Sequence, residues 1–162
     1  MSLYLAVLGA SKIWIAAFDM VNFIVQFIAM RLVEKFDPAK ALRIGLLLSF
    51  VVFIYYGAVQ SFPLLMPIQI LIGISWAGIL IGSLSYLLRK HKERGTVSGQ
   101  LYSAMYLSTS IGPFIGGALA QAWGFPITMF FGGGMSLVSL LSTRGLIPDK
   151  RAKAIRQLPV IE

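Results

Sequence analysis

Asp19, Asn22 and Gln26 are the residues in this chain whose types and spacing can do chemistry. They stand at i, i+3 and i+7, so a helix brings all three to one face. A carboxylate beside two amides can take up and release a proton, or exchange hydrogen bonds with a polar solute. The stretch around them is otherwise apolar from Ile13 to Met30. A charged residue at the centre of a bilayer costs about 2.5–3.5 kcal/mol on insertion scales. Asp19 must therefore meet water, a partner or a proton. Two readings follow: it lines a polar cavity, coupling protons or binding solute, or it is an acid satisfied by packing or by water near the outer surface. Lys12 lies seven residues away, about 10 Å along a helix. That is too far for a direct pair, and Lys12 is expected to snorkel to an interface. Weaker polar positions are Gln69, Trp76 and Ser83, which recur every seven residues, and Gln100, Ser103 and Tyr106 in a later stretch. Cavity lining and helix–helix hydrogen bonding are equally consistent with each.

No catalytic constellation accompanies them. The single histidine, His91, sits among Arg and Lys with no second ligand at metal-site spacing, and there is no cysteine. No glycine-rich phosphate loop follows a strand. Neither an enzyme nor a cofactor nor a bound metal is expected.

The elements that must position these residues are membrane helices. The chain is 57% hydrophobic and 12% charged, with a mean hydropathy of +0.81, about half the charge of a soluble domain. Five segments are long and apolar enough to cross a bilayer: residues 12–33, 39–58, 63–88, 96–122 and 125–146. They are continuous, not alternating, so a β-barrel is excluded and an all-α integral membrane fold is expected. All but Lys12 of the 14 Lys and Arg fall in residues 31–43, 89–94 and 144–156, while the connectors at 59–63 and 123–126 carry no charge. Basic connectors stay cytoplasmic. This predicts a multi-pass cell-membrane protein with its N-terminus outside and its C-terminus in the cytoplasm. Residues 1–11 form an outer segment, 12–147 the bundle and 148–162 a basic cytoplasmic tail facing solvent or lipid headgroups. The net charge of +8 is spread over connectors and does not form one face, so nucleic acid is not an expected partner. Residues 1–9 have no basic leader and no cleavage site, so no signal peptide is read. Trp14, Tyr55, Tyr56, Trp123 and Phe125 fall near outer span ends, as interfacial anchors do.

Small residues recur at four-residue spacing, as Gly78 and Gly82, and as Ser108, Gly112 and Gly116. Such faces let helix backbones approach closely. Pro113 offers no N–H to the Thr109 carbonyl, so its helix is expected to kink or loosen there.

Three stretches resemble a known family. Met30-Arg-Leu-Val-Glu34-Lys35-Phe-Asp37-Pro-Ala-Lys40 resembles the cytoplasmic loop motif of the major facilitator superfamily, Gly-x-x-x-Asp-Arg-x-Gly-x-Lys/Arg. Glu34, Lys35 and Lys40 stand at its acidic and basic positions, and Met30 and Asp37 replace its glycines. Gly99, Ser108 and Gly112-Pro113-Phe-Ile-Gly116-Gly117 look like the glycine-proline motif best known from the fifth helix of the family's antiporters, with related patterns in the eleventh. Glu93-Arg94-Gly95-Thr96 resembles the loop before that eleventh helix. The resemblance implies that the five spans are helices eight to twelve of a twelve-helix transporter, most of one six-helix bundle. It also implies that the first, third and fourth spans help line the central cavity. The cavity candidates are then Asp19, Asn22, Gln26, Gln69, Trp76, Gln100 and Tyr106. Glu34, Lys35 and Arg94 become gate candidates, and Gly99, Ser108, Gly112, Pro113 and Gly116 packing or hinge candidates.

The expected function is alternating-access movement of a small solute, coupled or exchanged with protons, jointly with an N-terminal half or in a homo-oligomer. A fragment, a truncated gene product and one partner of a split transporter are all compatible with 162 residues. The rival reading is a membrane protein that does not transport and self-associates through its small-residue faces.

Overall fold

The computed structural model describes residues 9, 11–59 and 61–145. The outer segment, save Gly9 and Ser11, and the basic tail lie outside the described residues. Five helices follow in order: α1 Lys12–Val33, α2 Pro38–Ala58, α3 Met66–Lys90, α4 Arg94–Trp123 and α5 Phe125–Ser142. Short 3-10 turns, Phe62–Leu65 and Thr143–Gly145, precede α3 and follow α5. No strand occurs among the described residues. The protein is an all-α membrane bundle.

Local chemistry sets the ends. Asp37 caps α2, its Oδ1 accepting the Lys40 N–H at 3.0 Å, and Pro38 follows at the first helical position. This moves the start of α2 one residue ahead of the sequence boundary. Pro67 sits in the first turn of α3, where its missing N–H is no loss. Gly124, at φ +86°, breaks the chain between α4 and α5, a backbone region that glycine enters without strain.

α1, α2, α3 and α5 are each long and apolar enough to cross a membrane. The fifth helix, α4, has 30 residues but more polar ones, including Ser98, Gln100, Ser103 and Thr109. Antiparallel α2 and α3 form the centre, with α1 on α3 and α5 on α2. The α2–α3 crossing is set by glycine. A Cβ on Gly45 would lie 2.7 Å from the Ile79 nitrogen, and one on Gly82 would lie 2.6 Å from that of Leu42. Gly78 abuts Ala41 and Gly45 in the same way. The small-residue face expected at Gly78 and Gly82 is thus spent inside the chain. Ser75 donates to the Gly45 carbonyl at 2.9 Å across the same crossing.

The core is Phe18, Val52, Tyr56, Leu65 and Ile68. Large apolar side chains point outward along α1 and α4, among them Phe23, Phe27 and Phe114. In lipid such exposure carries no hydrophobic penalty, because the tails are as apolar as the side chains.

Candidate functional site

α1 and α3 run parallel and cross at Gly73, where a Cβ would lie 3.0 Å from both the Asn22 carbonyl and the Gln26 nitrogen. This crossing gathers three of the predicted polar residues. Asn22 donates from Nδ2 to the Gln69 carbonyl at 3.3 Å. Gln69 in turn donates from Nε2 to the Tyr56 hydroxyl at 2.9 Å. Gln69 and Tyr56 are buried, at 3% and 2% exposure. Tyr56, expected as an interfacial anchor, is instead a core residue that satisfies a glutamine. Its neighbour Tyr55 donates to the Leu64 carbonyl at 3.1 Å. Asp19 lies beside this cluster on α1 but is exposed.

A second region lies between α3 and α4, where the helices stand apart and leave a groove of about 460 Å³. Trp76, Ile79, Leu80 and Ser83 form its α3 wall. Leu101, Ala104, Met105, Ser108 and Thr109 form the α4 wall. Trp76 and Ser108 thus share one space. Gln100 and Tyr106 are exposed on α4 and are not among the groove's walls.

The groove exists because α4 packs thinly. None of its side chains is buried, and it touches only α5 and α3 substantially. Gly99 and Gly112 have no atom within 4 Å of a notional Cβ, and Gly116 meets only the Thr128 methyl, at 3.8 Å. Pro113 lies within an unbroken helix. Among the described residues, no other helix closes on the Gly99 and Gly112 part of this face, and Gly116 only touches Thr128.

The gate candidates sit at one end of the bundle. Glu34 and Lys35 are exposed on the α1–α2 connector, and Arg94 opens α4. At the same end Arg43 reaches the C-terminus of α5. Its Nη2 donates to the Thr143 carbonyl at 2.8 Å and the Arg144 carbonyl at 3.3 Å, and its Nε to Thr143 at 3.3 Å. A guanidinium on carbonyls at a helix C-terminus is favoured by both hydrogen bonding and the helix dipole. Sequence reading missed this contact, since Arg43 looks like one more basic connector residue. A Ser49–Ser136 hydroxyl pair at 3.2 Å ties the same two helices deeper in the bundle.

Residues 5–162 match the sequence profile of the Major Facilitator Superfamily. The chain belongs to that family. Major facilitator proteins are membrane transporters of small solutes, and this bundle is of that type. No curated protein and no solved structure matches the chain.

Proposed function

We propose that the chain forms one wall of a solute pathway and works by alternating access against a second helical bundle. A second copy, or a separate run of helices equivalent to an N-terminal half, supplies that bundle. The observation that carries this reading is the groove between α3 and α4, bordered by a helix with no buried side chain. Transporters of this architecture rock two bundles about a site near the bilayer midplane, and a helix packed only against α3 and α5, with no buried side chain, is what one half of such a pair presents.

In this reading Trp76 and Ser108 line the pathway directly, and Gln100 and Tyr106 face it from α4 once the second bundle is in place. Asp19 carries the coupled proton. Asn22, Gln26 and Gln69 hold the α1–α3 crossing that presents it. Glu34, Lys35 and Arg94 pair across the cytoplasmic end in one access state. Gly99, Gly112, Pro113 and Gly116 meet the opposing bundle. The N-terminus lies outside and the C-terminus in the cytoplasm.

The chain has no cysteine, so Ser108→Cys gives a single thiol in the groove. With the transporter in sealed membranes, that thiol is expected to react with a charged, impermeant thiol reagent from either face. A thiol inert from both faces overturns the pathway reading and favours a bundle that only self-associates.

A further inference from the structure

Arg43 brings together two cations that are far apart in the sequence. Its guanidinium crosses from α2 to the Thr143 carbonyl at 2.8 Å and the Arg144 carbonyl at 3.3 Å. This sets the exposed Arg144 beside the start of α2. Lys40, also exposed, stands one turn before Arg43 on the same helix. Residues three apart on a helix have Cβ atoms about 5–6 Å apart, so Lys40, Arg43 and Arg144 form one cationic cluster. The carboxylate closest to them in the sequence, Asp37, is engaged as the cap of α2, accepting the Lys40 backbone N–H at 3.0 Å. The positive-inside rule asks only for charge in a connector. Here a contact across 100 residues of chain fixes where three charges meet.

Two apolar faces run into the bilayer below this cluster. On α2, Lys40, Ile44, Leu47 and Val51 recur at i, i+4, i+7 and i+11, and all four are exposed. On α5, Leu137 and Leu141 share a face with Arg144 of the following turn, at i, i+4 and i+7, and these too are exposed. Both faces lie on the side of the α2–α5 seam turned away from α4, which α5 meets through Thr128. Val51 lies about 16 Å along the axis from Lys40. The hydrocarbon of one leaflet is about 15 Å deep. A phosphate at the cluster therefore gains charge-assisted hydrogen bonds from Lys40 and Arg144, while its acyl chains lie along the apolar faces. A zwitterionic headgroup would bring its own cation among the other three, so an anionic one is favoured. We infer that this end of the α2–α5 seam is a binding site for an anionic phospholipid, held by Lys40 and Arg144 and positioned by Arg43. The site lies outside the α3–α4 groove and does not rest on the pathway reading.

Native mass spectrometry of the full chain in detergent tests this, with palmitoyl-oleoyl phosphatidylglycerol titrated against the phosphatidylcholine of the same chains. Phosphatidylglycerol is expected to bind at least about tenfold more tightly. Lys40→Gln combined with Arg144→Gln is expected to bring the two lipids within about twofold of each other, with the helical circular dichroism unchanged. Lys90→Gln combined with Lys92→Gln removes the same charge at the α3–α4 connector and is expected to keep the preference. Equal binding of the two lipids by the wild type overturns the inference. So does an equal loss in both double variants, since the attraction then belongs to the whole basic end and not to this seam. sn-Glycerol 3-phosphate, the headgroup without its chains, is expected to leave the lipid bound at about a hundredfold excess. Its displacing the lipid overturns the assignment to a membrane lipid.

Discussion

Gln69 joins three helices. Its carbonyl accepts from Asn22 of α1 and its side chain donates to Tyr56 of α2. Interhelical hydrogen bonds in membranes average about 0.6 kcal/mol and reach about 1.7 kcal/mol. A double-mutant cycle of Gln69→Leu and Tyr56→Phe, followed by unfolding in detergent, should give a coupling energy in that range. Additive losses would remove the pair from the account. The sequence marks Gln69 as a polar residue in lipid but does not name its partner, because the partner lies on another helix. Tyr56 is harder still, since an aromatic near a span end is ordinarily an interfacial anchor. Asp19 was legible by charge alone. As the only one of the six acidic residues inside a span, it is expected to carry the pH dependence of transport. Asp19→Asn should leave thermal stability unchanged and flatten the pH profile of solute flux; a wild-type profile would end its proton role.

The same small-residue spacing has two different outcomes at the level of the helices. Gly78 and Gly82 of α3 are filled by α2, whereas Gly112 of α4 faces open space and Gly116 makes only an ordinary contact with Thr128. Periodicity identifies both faces but cannot say which is covered within the chain. The partner face on α2, Ala41, Gly45 and Ser49, has the same four-residue spacing, so its signal was present but less conspicuous than a pair of glycines. Gly82→Leu should therefore destabilise the bundle by about 1–3 kcal/mol through overpacking. Gly112→Leu should stay within about 0.5 kcal/mol for the chain alone, and should impair only assembly with an opposing bundle. Thermal unfolding of the two variants side by side makes the comparison. Arg43 belongs to this scale as well, because its guanidinium holds the end of α5. Hydrogen bonds to charged groups are worth about 1.5–3 kcal/mol, and partial exposure places Arg43→Ala near the low end. The span boundaries were legible to within a few residues because apolar length is a strong signal. The exceptions are chemical: a cap at Asp37, and a 3-10 turn ahead of α3.

For the molecule as a whole, alternation of charge and helix direction agree. α2 runs antiparallel to α3 and α5, and Arg43 meets Thr143 at the end that also carries the basic connectors. The described residues of the neutral connectors, 59, 61–65 and Gly124, occupy the opposite end. The pathway reading requires that these two ends lie on opposite faces of a bilayer. Single cysteines at Ser61 and Lys92, exposed residues of one neutral and one basic connector, test this directly in intact cells with a membrane-impermeant thiol reagent. Ser61→Cys should be labelled from outside, and Lys92→Cys only after the membrane is opened. Labelling of both from the same side would contradict the account.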